Sequence, residues 1–192
     1  MLIKTTIVGT RPILIHKYTV STASKPTTRS KNQSFDQEWR KNTYTNDDGF
    51  LVIPHQNLMA CLFDGTKGMK KGKTTLTRAL YYCLTIAENE VLLLYEGKPI
   101  HINDVEKKNW IFPSGVVISG RRIDRLRTMI PAGWSINFTI ETYQHNILDE
   151  TDIKKIIESS GRYAGLGDWR LSSPKKPGSY GQFDIKEFIV QK

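Results

Sequence analysis

Apolar residues in this 192-residue chain fall into the order strand, helix, strand, strand, helix, strand once one long stretch is set aside. That order predicts an α+β domain with a ferredoxin-like, RRM-type βαββαβ core, an inserted strand and helix subdomain and a long basic loop. Three observations carry it. Leu2-Ile3-Lys4-Thr5-Thr6-Ile7-Val8 reads as a strand from the first residues. Trp134-Ser135-Ile136-Asn137-Phe138-Thr139-Ile140 alternates strictly, as a sheet wet on one face requires. Between them and the end lie two helical patterns, each with its apolar residues on one side.

Element by element, the first strand covers about 2–9 and stops at Gly9 before Arg11-Pro12. Ile13, Leu14 and Ile15 form a short apolar anchor. From 18 to 48 the chain is polar and basic with almost no aliphatic residues, a long loop of the kind that carries function. Within it, Phe35 and Trp39 are spaced for one face of a helical turn. Phe50-Leu51-Val52-Ile53 is a strand closed by Pro54. Leu58, Met59, Leu62 and Phe63 then recur at helical spacing until Gly65. A second helix is predicted over 74–88, a strand over 91–95 and further short strands up to 122. Arg125–Ile130 and Trp134–Ile140 are predicted to pair about the turn Pro131-Ala132-Gly133. Asp149 is the N-cap of a helix over 150–160 with Ile153, Ile156 and Ile157 as its buried stripe, ended by Gly161. Phe183, Ile185, Phe188 and Ile189 mark the last strand. The organisation is one domain over 1–192, with 18–48 as the loop and 65–120 as the insertion.

Lys and Arg total 28 against 19 Asp and Glu, a formal net charge of +9 and a pI near 9.5. A surplus of that size attracts polyanions, with nucleic acid foremost. Cys61 and Cys83 lie in apolar helical stretches and read as buried thiols of a reducing compartment. The four histidines are scattered, so no metal and no cofactor are expected. The apolar runs are too short to span a bilayer, and a cytoplasmic protein without membrane contact is expected.

The segment Gly65 to Thr74 ends in Gly-Lys-Thr but is not a phosphate loop. The glycine required five positions before Gly72 is Lys67, and a helix rather than a strand precedes it. What remains is a loop with Lys67, Lys70, Lys71 and Lys73, suited to phosphate contact. Arg121, Arg122, Arg125 and Arg127 form a second basic group, with Arg125 and Arg127 on one strand face. A third group is Gly161-Arg162-Tyr163-Ala164-Gly165-Leu166-Gly167-Asp168-Trp169-Arg170, followed by Gly178-Ser179-Tyr180-Gly181-Gln182-Phe183. Gly165 and Gly167 permit close backbone approach, Arg162, Arg170, Lys175 and Lys176 supply charge, and Trp169 offers a stacking face.

This glycine-rich loop leading into a Gly-x-Tyr-Gly-x-Phe strand resembles the carboxy-terminal signature of the RAMP superfamily, the repeat-associated RNA-binding proteins of CRISPR systems. Ile7-Val8-Gly9-Thr10-Arg11-Pro12-Ile13-Leu14 is similar to that family's first strand. Gly49-Phe50-Leu51-Val52-Ile53-Pro54, followed by Asn57, Leu58 and Ala60, resembles its strand-Ile-Pro-helix element. The chain departs from the family pattern at His55-Gln56-Asn57-Leu58-Met59-Ala60 and at Gln182, and its Gly165–Arg170 stretch is closer to relatives carried by phages and mobile elements.

The resemblance implies a sequence-nonspecific single-stranded RNA-binding protein. It would be a backbone subunit of a CRISPR-like ribonucleoprotein, polymerising as a homo-oligomer along a guide RNA. Two alternatives stay open. One is an endoribonuclease of the same superfamily, acting through Asp36 in the long loop or His16 after the first strand. The other is a phage or mobile-element protein that binds a protein or single-stranded DNA.

Overall fold

Strand β1 (Leu2–Gly9) buries Ile3, Thr5 and Ile7 and turns Leu2 and Lys4 to solvent, the period-two pattern its sequence dictates. The computed structural model describes residues 1–17, 38–118, 121–144, 146–174 and 177–191. It is a mixed α+β structure, with antiparallel pairing between its strands and only short helices. After β1 come β2 (Ile13–Ile15), α1 (Glu38–Lys41), β3 (Val52–Pro54) and α2 (His55–Gly65). The small hairpin β4 (Lys70–Lys71) and β5 (Thr74–Thr75) leads into α3 (Leu76–Cys83) and β6 (Leu84–Ile86). Then follow β7 (Glu90–Leu92), β8 (Leu94–Tyr95), β9 (Lys98–Pro99) and α4 (Ile102–Lys107). The chain ends with β10 (Ile111–Ile118), β11 (Arg121–Ile130), β12 (Trp134–Thr142), α5 (Glu150–Ser159), a π-helical turn Ser160–Ala164 and β13 (Phe183–Gln191).

The main sheet runs β13–β1–β12–β6, with β8 and β9 extending it from the other end of β12. One face is apolar. Ile3, Ile7, Trp134, Ile136, Phe138 and Ile140 lie there, under Leu58, Cys61 and Leu62 of α2 and Ile153, Ile156 and Ile157 of α5. Helices α2 and α5 pack on each other, α5 also on β13 and α2 on β6. The opposite face carries Lys4, Thr6, Ser135, Asn137, Thr139, Asp184 and Glu187 with the exposed Leu2 and Ile189, and the described residues of β1, β12 and β13 on it include no aromatic ring. Asp149 caps α5 reciprocally, accepting from the Asp152 amide at 2.9 Å while Asp152 accepts from its own. Burial of Cys61 pushes its thiol up to about 12, and Cys83 is raised by the same cause, so both are inert core groups. Among the described residues no helix is long and apolar enough to cross a membrane.

Four sequence expectations need correction. The predicted hairpin between Arg125–Ile130 and Trp134–Ile140 does not form. β11 pairs with β10 and β2 in a separate three-stranded sheet, while β12 pairs with β1 and β6. The turn is drawn away from hairpin geometry because the Gly133 amide donates to Gly9 O at 2.8 Å and the Trp134 indole to Arg11 O at 2.8 Å. The helix predicted over 74–88 stops at Cys83, since Leu84 and Ile86 alternate inward and pair with Thr142 and Ile140. The strand predicted over 91–95 divides at Leu93, where the chain leaves β3 for β12. The last helix passes Gly161 through its π-helical turn and ends at Gly165.

Residues 65–120 are woven through the fold: β6 is a main-sheet strand and β7 pairs with β3. Of the polar stretch 18–48, residues 18–37 lie outside the described residues, so the expectations for Asp36 and Phe35 do too. The remainder folds back as α1, with Trp39 only 2 % exposed and therefore a core residue.

Candidate nucleic-acid interface

The loop 161–181 is hemmed onto the segment that joins β1 to β2. Gly181 donates its amide to Pro12 O at 2.8 Å, Asp168 donates to Leu14 O at 2.7 Å, and Leu166 donates to Gly181 O at 2.9 Å. Gly165 and Gly167 both have positive φ, 80° and 81°. A Cβ on Gly167 would meet Leu14 O at 2.3 Å, and one on Gly165 would meet Tyr180 O at 2.9 Å. The close approach these glycines permit is therefore to the protein's own backbone.

Arg127 stands at the centre of this packing. Its side chain is 6 % exposed, and a charge so buried must be paired. Nε donates to Asp168 Oδ2 at 2.7 Å, Nη1 donates to Ser114 Oγ, and the guanidinium lies 4.8 Å from the centre of the Trp169 ring. Trp169 holds φ at 50° and meets Phe112 and Tyr180 at centroid distances of 6.1 and 6.3 Å. Phe112 and Ser114 reach the loop because they pair with Arg127 and Arg125 across β10 and β11.

His16 follows Ile15, the last residue of β2, which pairs with Thr128, and it lies within reach of the Arg127 charge. Its Nδ1 is buried and has no hydrogen-bond partner among the described residues. Burial, then the charges of Arg127 and Arg125, outweigh the opposing pull of Asp168 and hold the imidazole below its ordinary 6.5. His16 is thus neutral at pH 7.

A second anchor ties the loop to α2. Arg170 Nη2 lies 3.6 Å from Asp64 Oδ2, Ser172 Oγ donates to that oxygen at 2.6 Å, and Arg170 Nε donates to Ser172 Oγ at 2.9 Å. Lys67 Nζ lies 2.7 Å from Asp64 Oδ1. Burial alone would raise the Asp64 carboxyl. The hydrogen bonds from Lys67 and Ser172 and the charges of Lys67 and Arg170 overcome it and set the group below the usual carboxylate range. Between the two anchors opens a cavity of about 150 Å³, lined by His16, Tyr44, Asn57, Asp168 and Arg170 among polar side chains and by Ile15, Ile53 and Ala60 among apolar ones. A volume of that order admits one aromatic ring.

The structure brings His16, Arg127, Gly165, Gly167, Trp169 and Arg170 together. Arg125 shares the strand face of Arg127. Arg121 and Arg122 lie in β11, opposite Ile118 and Val117. Arg162 is exposed on the π-helical turn, its carbonyl accepting from Gln182 Nε2 at 2.9 Å. The four lysines separate. Lys67 is held by Asp64, and Lys71 by Asp149 at 3.0 Å and by Asp152. Lys70 and Lys73 are exposed without an ion pair among the described residues. Asp36, Lys175 and Lys176 lie outside the described residues. Among the described residues no group of three or more His, Cys, Asp or Glu side chains could hold a metal ion.

Sequence reasoning missed Asp64, Asp168, Ser114 and Phe112. Two signals were present: an aspartate on the last turn of a helix sits against the dipole and needs cations, and a lone aspartate inside an arginine-rich loop needs a partner.

Fold and site together define an antiparallel α+β protein whose glycine-rich loop closes a small polar cavity beside a buried arginine. The chain matches no protein-family model and no curated protein sequence.

Proposed function

We propose that this protein binds single-stranded RNA along its phosphate backbone, with a ferredoxin-like core of the RAMP kind. The strand order β13–β1–β12–β6, with α2 after β1 and α5 after β12, supports a βαββαβ reading in which β6 is the second core strand. One observation carries the function. The three segments that resemble the RAMP superfamily are far apart in sequence but meet at one cavity: Ile15 and His16 follow the first, Ile53, Asn57 and Ala60 belong to the second, and Gly165 to Arg170 to the third. The net charge of +9 supplies the long-range attraction. The described residues of β1, β12 and β13 on the outer sheet face include no ring for stacking, so the loop side, with Trp169 and Tyr180, is where RNA binds in this reading.

Repetition along the strand, as a homo-oligomer or within a ribonucleoprotein, belongs to the same proposal. The test is titration of labelled single-stranded RNA at several salt concentrations. Affinity is expected to fall steeply with salt, and stained images with RNA are expected to contain arcs or filaments of regular repeat. An affinity flat in salt counts against it, and binding to single-stranded DNA alone redirects it.

A second reading has one observation in its favour. A neutral imidazole at the cavity wall is competent to take a proton, as an endoribonuclease acting through His16 requires. Incubation of labelled RNA with wild type and with His16→Ala decides it, since uncut RNA in both removes the enzyme.

A further inference from the structure

The C-terminal end of α3 exposes Tyr81 at 67 % and Tyr82 at 61 %, and Tyr143, just past β12, is 61 % exposed. Large apolar surface left in water is unfavourable, so a cluster of such rings points to a ligand. The Tyr81 ring stacks on Phe63 of α2 with centroids 4.2 Å apart and planes 26° from parallel, which fixes its orientation. Tyr143 is set beside the helix end by its amide, which donates to Cys83 O at 2.7 Å.

Cations line the helix and the hairpin before it. Arg78 is exposed three and four residues before Tyr81 and Tyr82, on the same side of the helix. The β4–β5 hairpin runs directly into the N-terminal end of the helix and carries exposed Lys70 and Lys73, with about 8 Å of helix between Leu76 and the rings. Every aliphatic side chain of α3 is buried, and the helix contains no acidic residue. Glu141 accepts from the Tyr143 hydroxyl at 3.2 Å, so the side complementary to a strand of stacked bases and phosphates is that of α3, where Tyr81 and Tyr82 stand with Arg78.

Resting on the single-strand reading, we propose that Tyr81 and Tyr82 form a base-stacking platform for single-stranded RNA, whose phosphates lie on Lys70, Lys73 and Arg78. Helix α2 links the platform to the loop, because Phe63 supports Tyr81 and its neighbour Asp64 anchors Arg170.

The experiment is fluorescence anisotropy with labelled oligouridine RNA and with an abasic sugar-phosphate oligomer of equal length. Proteins compared are wild type, Tyr81→Ala/Tyr82→Ala, Tyr82→Ala alone and Tyr81→Phe/Tyr82→Phe. The single variant leaves the Phe63 stack intact and so covers any folding defect of the double. The double alanine variant is expected to weaken RNA binding roughly tenfold or more, with abasic affinity and salt slope unchanged, and the phenylalanine variant to bind as wild type does. Wild-type RNA affinity in both alanine variants overturns the platform while leaving the single-strand reading in place. Wild type binding neither oligomer removes both. Alanine variants that keep RNA affinity but lose a co-purifying protein make the face a protein-docking surface and overturn the proposal.

Discussion

The Arg127 guanidinium donates to the Asp168 carboxylate at 2.7 Å, joining strand β11 to the glycine-rich loop across 41 residues of sequence. The sequence places Arg127 on one strand face with Arg125 in a predicted hairpin, yet it serves as the brace on which the loop rests. Removing one partner of a buried pair leaves the other charge uncompensated, which costs about 3–5 kcal/mol. Asp168→Ala, which strands the 6 % exposed Arg127 guanidinium, is therefore expected to lower stability by about that amount in urea unfolding. Arg127→Ala is expected to cost less on this ground, because the Asp168 it leaves behind is 31 % exposed and water replaces the lost pair. If Asp168→Ala unfolds at the wild-type midpoint, the brace is not what holds the loop.

His16 gives the fold a pH dependence of definite sign. Its native pKa lies below the ordinary 6.5, so the unfolded chain takes up the proton first as pH falls. The stability linked to His16 is fully present above about pH 6.5 and is lost as pH drops from there through the lower native value. Melting temperatures measured between neutral and mildly acidic pH are expected to decline in wild type and less in His16→Phe. Equal declines in the two proteins refute the assignment.

Gly167 tests how closely the loop must seat. Its φ of 81° and the 2.3 Å that would separate a Cβ from Leu14 O leave no room for a side chain. Gly167→Ala is expected to lose at least about 1–3 kcal/mol from backbone strain alone and to open 161–181 to protease. Gly97→Ala, where a Cβ would meet open space at a similar φ of 77°, isolates the strain from the contact. Were both variants equally protease-resistant, the seating of the loop on β2 would be irrelevant to its order.

The lysines separate by what they touch. Lys70→Ala/Lys73→Ala is expected to flatten the log–log salt slope of RNA binding by about 1.4, at roughly 0.7 per phosphate on a single strand. Lys67→Ala and Lys71→Ala, which remove ion pairs to Asp64 and to Asp149 and Asp152, are expected to leave that slope unchanged. A change of equal size in both sets removes the distinction between phosphate contact and internal pairing.

By itself the sequence determined the elements whose pattern is local. β1, β12, α2 and α5 follow from side-chain period, and Asp149 from cap chemistry, because a helix or strand with one apolar face has few alternatives. It also placed the charge and the glycine-rich loop. Tertiary structure alone decided partners. β11 and β12 are adjacent in sequence and both extended, yet they join different sheets, because the Gly133 amide and Trp134 indole bond back to Gly9 and Arg11. Leu84-Thr85-Ile86 looked like helix until Ile140 and Thr142 offered it a sheet edge. The same holds for the cations. A sequence counts Lys71, Arg127 and Arg170 as positive charge available to a ligand, but that an aspartate already holds each of them depends on contacts between residues remote in the chain, whereas the pairing of Lys67 with Asp64 three residues before it is local.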